Sequence, residues 1–487
     1  MPMTKLRNLV GGEWREPDAN GGQPVRNPAT AEILAMCPLS TEAEIDQVVE
    51  AARDAFWRWR TTSVPERAAA LLGFRQRLED ERENLAHILV SENGKTRSEA
   101  LGELKRGLEY VEHAAAAPEL MKGSFSEDVG TDVDTHYIRE PLGPFAVVAP
   151  FNFPAMIPLY FAWAVAAGNS AIVKPSELCP MTTIRMAELA AEAGFPPGVV
   201  NVVLGDATVV QRLASHPDVV GVSFVGSSRV AEAVYRLASE NLKRAQCQGG
   251  AKNHLVVTAS AQLDSCLGNI TNSTFGQASQ RCFAGSNVLV EENVYDEFVD
   301  RFVDAARGMR LGNGLVEGVD MGPVISQASL QQLGARIEEA ESNGAKVLLD
   351  GRDASVDAYP HGYFLGPTVL KSGPGMRVFD EEVFGPVRCV MPVRDLEEAV
   401  SIINRSSYGH SAAIYTESGG AARYFTRHVV AGQIGVNVGT PAPIAFYPVG
   451  GRKASFYGSL RGRANDAIDF YTDKKVVVST WHDHRGL

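Results

Sequence analysis

The sequence predicts an α/β protein made of two sheet-and-helix units and a small β arm. Three observations carry this. Between Phe145 and Ser239, short apolar runs alternate with helical patterns. After Gly249-Gly250 a second series of the same kind begins. Lys122–Arg139 scatters Val, Thr, Tyr and Ile among Gly and Asp, as in a hairpin with too little apolar surface for a core of its own. Strands alternating with helices argue for a mostly parallel sheet covered on both faces. At 487 residues the chain exceeds one ordinary core, so two or three domains are expected.

Residues 1–40 read as an extended arm with short strands, turning at Gly11-Gly12 and Asn27-Pro28. Thr41 and Glu44 have capping-box spacing, and Ile45, Val48, Val49 and Ala52 make one apolar helix face. Helices are expected at Val64–Asn93 and Ser98–Ala117, the second stopping before Pro118. In the first series, strands fall at Phe145–Ala149, Ser170–Val173, Val199–Leu204 and Val219–Val225. Helices fall at Ala155–Ala167, Thr182–Ala193 and Val230–Ser239. In the second, strands fall at Leu255–Thr258, Ser286–Val290, Lys346–Leu349, Thr368–Leu370, Val387–Val390 and Ser411–Tyr415. Its helices are Leu263–Ser279, Glu297–Met309, Gln327–Asn343 and Leu396–Arg405. Lys475–Thr480 is a β-rich strand near the end of the chain.

Composition excludes several classes of function. A net charge of -12 disfavours nucleic acid as a partner, because a phosphate backbone needs a basic face. The six cysteines form no CxxC pair and read as reduced thiols of a cytoplasmic protein. The start of the chain resembles neither a secretion signal nor a transit peptide. Pro141–Val173 carries no charge, but its prolines, Asn152, Gly168 and Asn169 argue against a membrane span. The histidines show no metal-ligand spacing, so no metal is expected.

Cys282 stands at an element boundary, where a side chain can face a cleft. A thiolate there would be a nucleophile, and Arg281 beside it would favour ionisation. A buried structural cysteine is the other reading of the same stretch. Asn152, Lys174, Glu177 and Ser227 each follow a predicted strand, which puts them on the rim where α/β sheets bind ligands.

At Pro150-Phe151-Asn152-Phe153-Pro154 the chain resembles the NAD(P)-dependent aldehyde dehydrogenase superfamily. Lys174-Pro175-Ser176-Glu177, Phe224-Val225-Gly226-Ser227, Gln280-Arg281-Cys282 and Glu382-Val383-Phe384-Gly385-Pro386 follow in the order of that family. Within it the chain is most similar to the methylmalonate-semialdehyde dehydrogenases, the CoA-acylating branch. Arg106-Gly107-Leu108, Gly250-Ala251-Lys252-Asn253-His254 and Phe470-Tyr471-Thr472 help to carry that closer match.

The resemblance implies a Rossmann-like NAD-binding domain over 1–121 and 142–248, and a catalytic domain over 249–462. It also implies an oligomerisation arm over 122–141 and 463–487, giving a homodimer or homotetramer. Cys282 would be the nucleophile, and Asn152 with the Cys282 N–H would form the oxyanion hole. Phe151, Lys174, Glu177, Ser227 and Glu382 would bind NAD, with Glu177 repelling the 2′-phosphate of NADP. Ala231 departs from the family, which often has glycine there.

Hydrolytic relatives place a glutamate 34 residues before the cysteine, where this chain has Gln248. An amide is no general base near neutral pH, so the thioester should await coenzyme A as co-substrate. Arginines matching Arg106 and Arg281 are expected to bind the carboxylate of a semialdehyde. Arg106 could instead pair along its helix with Glu103 or Glu109. Ser279 and Phe283-Ala284-Gly285 differ from that branch around the nucleophile. Release of a free acid from another aldehyde is the alternative function, and a non-catalytic protein on this fold a third.

Overall fold

The computed structural model describes residues 5–18 and 21–481. Its largest sheet has eight strands, in the order Glu13–Arg15, Asn8–Val10, Val200–Val202, Ser170–Lys174, Pro144–Val148, Gly221–Val225, Arg244–Gln248 and Phe456–Tyr457. The five inner strands are parallel, and the outer ones pair antiparallel. Pro144–Val148 comes first in sequence among the inner five. Its neighbours are the second (Ser170–Lys174) on one side and the fourth (Gly221–Val225) on the other. That reversal is a topological switch point, where the loops leaving the two strands diverge and open a crevice.

The apolar run at Pro144–Val148 serves both faces of this sheet. Successive strand side chains point to opposite sides. Phe145 and Val147 enter one core, and Ala146 and Val148 enter the other. Burying each of the larger side chains contributes roughly 1.5–3 kcal/mol. A second sheet of seven strands has its own core and includes Asn253–Val257 and Gly285–Glu291, which flank the cysteine segment. It is parallel apart from its edge strand Lys346–Leu349. The third sheet is the expected arm: Ser124–Gly130, Val133–Pro141 and the last strand Thr472–Thr480, all antiparallel. Residues 482–487 of that arm, and 1–4 at the start, lie outside the described residues.

Local signals explain most element boundaries. The Thr41–Glu44 capping box forms at the helix Glu42–Trp59. Ser63–Glu66 and Thr96–Glu99 form two more, each satisfying exposed N–H groups of a first turn. The expected helix Val64–Asn93 is two helices, Val64–Asp80 and Arg82–Asn93, broken at Glu81 (φ −90°, ψ 5°). Ala155–Ala167 is helical only from Phe161, after a 3-10 turn at Pro158–Tyr160.

The expected helix Leu263–Ser279 ends at Phe275. Gln277, Ala278 and Ser279 then have φ of 57°, 48° and 58°. Left-handed backbone costs a non-glycine residue roughly 1–2 kcal/mol. Three in a row, ending three residues before Cys282, therefore store strain at the cleft. Strands Arg244–Gln248 and Gln433–Val436 and the helix Gly419–His428 had no clear sequence signal. Among the described residues no helix is long and apolar enough to cross a membrane, and all six cysteines are free.

Candidate active site

The crevice at the switch point is a cavity of about 710 Å³, within the roughly 300–1,000 Å³ typical of ligand pockets. The nine residues expected to act in catalysis, NAD binding or carboxylate binding all line it: Arg106, Phe151, Asn152, Lys174, Glu177, Ser227, Arg281, Cys282 and Glu382. Loops after the first-sheet strands supply one wall, and the segment before the second-sheet strand Gly285–Glu291 supplies the cysteine.

The cysteine loop and the Asn152 loop are tied together. Asn152 Nδ2 donates to the Gln280 carbonyl at 3.0 Å, which leaves its other N–H free. The Asn152 carbonyl accepts from Gln277 Nε2 at 2.7 Å and from Lys95 Nζ at 3.0 Å. Gln277 N–H donates to Glu99 Oε1 at 2.5 Å, and Ser279 Oγ to the Thr274 carbonyl at 2.6 Å. These bonds hold the three strained residues in place. Lys95 also pairs with Glu103, both buried, and Glu103 Oε1 accepts the Ala155 and Met156 N–H groups. Glu103 is therefore committed to this network. Arg106 pairs with Glu109 instead, at 2.5 Å.

Cys282 is half-buried. Burial pushes its thiol up to about 12, and the Glu382 carboxylate adds to that. Arg463, its own N–H and Arg281 pull it back down, in that order. Arg281 thus supports the thiolate, but it is not the leading cation. Arg281 Nη2 faces the carbonyls of Asn272 and Ser273, the latter at 3.3 Å.

Elsewhere in the cavity lining, Lys174 Nζ pairs with Glu177 Oε2 at 2.9 Å. The Phe151 ring meets Phe384 edge-on at 5.8 Å. Ser227 caps the helix Ser228–Glu240 by backbone alone, with no side-chain cap bond. Glu382 Oε1 accepts the Ala251 N–H at 2.7 Å, and burial pushes its carboxyl up to about 7. Its carboxylate lies so close to Gly250 that a Cβ there would sit 2.2 Å from Oε2. Gln248 ends its strand at the cavity wall, with Nε2 3.4 Å from the Tyr160 hydroxyl.

Arg463 is the residue that sequence reading missed. It is only 3% exposed, lines the cavity, and stands 4.5 Å over the Tyr110 ring. No motif surrounds it, and it reaches the cleft only because the chain returns from Phe456–Tyr457 to the first sheet.

A dinucleotide-sized cleft at a switch point, with a thiol from a second α/β unit in its wall, defines an enzyme that joins a nucleotide sheet to a cysteine. The chain belongs to the aldehyde dehydrogenase family, whose sequence pattern matches residues 14–477. It is 43% identical to malonate-semialdehyde dehydrogenase 1 of Shouchella clausii, over 98% of this chain and 97% of that one. It is 45% identical to malonate-semialdehyde dehydrogenase 3 of Geobacillus kaustophilus, over 98% and 99%. The structure of methylmalonate-semialdehyde dehydrogenase from Oceanimonas doudoroffii superposes with a TM-score of 0.97 at 38% identity, covering 99% of each chain. A Sinorhizobium meliloti protein provisionally assigned the same activity, and crystallised with NAD, gives 0.97 at 39%, again over 99% of each.

Proposed function

We propose that the protein is an NAD-dependent semialdehyde dehydrogenase that passes its acyl group to coenzyme A. The observation that carries this reading is Gln248, an amide in the wall of the cavity that holds Cys282. The relatives named above, which act on malonate or methylmalonate semialdehyde, support the substrate class.

The residues present fit NAD. The uncapped first turn at Ser227 leaves N–H groups for a pyrophosphate. Lys174 and Glu177, paired with each other, would hold the adenosine ribose, and Phe151 and Glu382, also in the cavity lining, would serve the nicotinamide end. When bound, NAD supplies the hydride acceptor.

The chain's own residues do the rest. The Cys282 thiolate adds to the aldehyde carbon, and the free Asn152 N–H with the Cys282 N–H holds the resulting oxyanion. Loss of hydride leaves a thioester on Cys282. A thioester with a β-carboxylate loses CO₂, and the same two donors hold the enolate before it takes a proton. Coenzyme A thiolate then displaces the Cys282 thiolate, giving acetyl-CoA from malonate semialdehyde or propionyl-CoA from its methyl homologue. Water is a poor rival because Gln248 cannot take its proton.

Release of a free acid is the second reading, favoured by Glu382, whose raised pKa suits a base. Its engagement with the Ala251 N–H argues for a binding role. Arg106 and Arg281, both in the cavity lining, would bind the substrate carboxylate. We also infer the domain boundaries read from the sequence, and a homodimer or homotetramer built through the arm.

The test is NADH formation from malonate semialdehyde with and without coenzyme A. One equivalent per site without it, and continuous turnover with it, is the expected result. Equal continuous turnover in both would overturn the acylating reading.

A further inference from the structure

The segment that carries Asn152 has neither strand nor helix between Val148 and Pro158, so its backbone groups need partners from elsewhere. Side chains supply many of them. Asn93 Nδ2 donates to the Phe151 carbonyl at 2.8 Å, and Thr183 Oγ1 to the Pro154 carbonyl at 3.0 Å. Lys95 Nζ donates to the Asn152 carbonyl at 3.0 Å, and Glu103 Oε1 accepts the Ala155 and Met156 N–H groups at 2.8 and 3.0 Å. Asn93, Lys95 and Glu103 come from one bend of the chain. The helix Arg82–Asn93 ends at Gly94, whose φ of 87° is a left-handed cap that suits glycine. The bend leaves Asn93 and Lys95 buried, and the next helix, Arg97–Ala115, brings Glu103 to Lys95.

Among the described residues, Lys95 and Glu103 form the one ion pair with both side chains closed off from water, 0% and 2% exposed. Such a pair adds little stability, because taking two charges out of water costs about as much as their attraction returns. Its place in the molecule gives it a different use. The Asn152 carbonyl has two lone pairs. Lys95 Nζ and Gln277 Nε2, which donate to it at 3.0 and 2.7 Å, occupy both, one from the helical bend and one from the cysteine segment. The side-chain amide of Asn152 is held in turn by the Gln280 carbonyl at 3.0 Å, so one N–H is left over. Lys95 lies outside the cavity lining, with the Phe153 ring 5.2 Å from its ammonium. Its contact with the site is through Asn152.

We propose that Lys95 and Glu103 are positioning residues for the oxyanion hole: the pair anchors the Asn152 backbone so that the free side-chain N–H points at the developing O⁻. The proposal rests on the reading of Asn152 as that donor. An oxyanion donor works at about 2.7–3.1 Å from the oxygen it stabilises. A displacement of about 1 Å, caused by a change away from the chemistry, can cost about 10²-fold in rate.

The experiment is a double-mutant cycle on the NADH burst of the full-length enzyme with NAD and no coenzyme A. Malonate semialdehyde and propanal are run in parallel, so the outcome does not depend on a substrate carboxylate. One axis is Lys95→Met together with Glu103→Gln, and the other is Asn152→Ala. The paired change removes both charges at once, so no lone charge stays buried, and the glutamine oxygen still accepts the Ala155 and Met156 N–H groups. Urea titration reads the stability of each form. The expected result is a burst slowed roughly 10–100-fold by the paired change where Asn152 is present, and less than about twofold in the Asn152→Ala background. The urea midpoint of the paired variant should stay close to that of the wild type. Lys95→Gln, one bond too short to reach both Glu103 and the Asn152 carbonyl, goes through the same cycle with the same expectations and serves if the paired variant does not fold. Equal slowing in both backgrounds would show that the pair acts on the fold, or on the oxyanion directly as a charge, and would overturn the proposal. So would an unchanged burst. An Asn152→Ala enzyme with an undiminished burst would instead overturn the reading of Asn152 as the oxyanion donor, and the proposal with it, so the two failures are distinguishable.

Discussion

Gln248→Glu should convert the enzyme from one that waits for coenzyme A into one that hydrolyses its own thioester. The change is isosteric, so the close approach of Gly462 and the Tyr160 hydroxyl is preserved. Its effect is chemical, because a carboxylate can take a proton from water and an amide cannot. Glu382 shows what this cavity does to a carboxyl: burial pushes it up to about 7. Burial would push a glutamate at 248 in the same direction, toward the neutral range in which a general base works best. General-base assistance is worth roughly 10²–10⁴-fold. NADH formation from malonate semialdehyde without coenzyme A should rise by a factor in that range, with acetate as the product by NMR. A variant that keeps its full burst and its coenzyme A turnover, yet gains no hydrolysis, would refute the assignment of Gln248 as the barrier to water.

Three further outcomes follow from the same geometry. Asn152→Ala should lower kcat by about 10²–10³-fold through loss of the oxyanion donor. Losing its bond to the Gln280 carbonyl should also cost about 1 kcal/mol of stability, read by urea titration. Because burial holds the Cys282 thiol well above its ordinary value, the burst rate should climb with pH, roughly tenfold per unit between about pH 6 and pH 9; a flat profile would show that the thiolate is already formed. Val476 and Val478 are exposed on one face of the last strand of the arm, so the double change to Glu should yield a smaller species in sedimentation. An unchanged assembly would remove the arm as an interface.

How much was legible in the sequence depended on local signals. The rim residues were, because Asn152, Lys174 and Ser227 stand where an apolar run stops at proline, glycine or serine, which marks a strand end in any context. The capping boxes were legible for the same reason. The strand Arg244–Gln248 was not, because buried Gln246 and Gln248 stand where a covered strand normally shows apolar residues. The break at Glu81 carries no glycine or proline. The left-handed run Gln277–Ser279 is fixed by bonds to Glu99, Asn152 and Thr274, two of them more than a hundred residues away. Arg463 was invisible for a related reason. Its place beside Cys282 is made by tertiary packing of a late loop, and nothing in its neighbours marks it.

The most direct test is the acylation state of Cys282 itself. Enzyme mixed with NAD and malonate semialdehyde, without coenzyme A, would be quenched and digested, and the peptide bearing Cys282 weighed. The account predicts an acetyl adduct on that peptide that persists for many turnover times and vanishes within one turnover when coenzyme A is added. An adduct that decays equally fast without coenzyme A, or a Cys282 peptide that is never acylated, would contradict it.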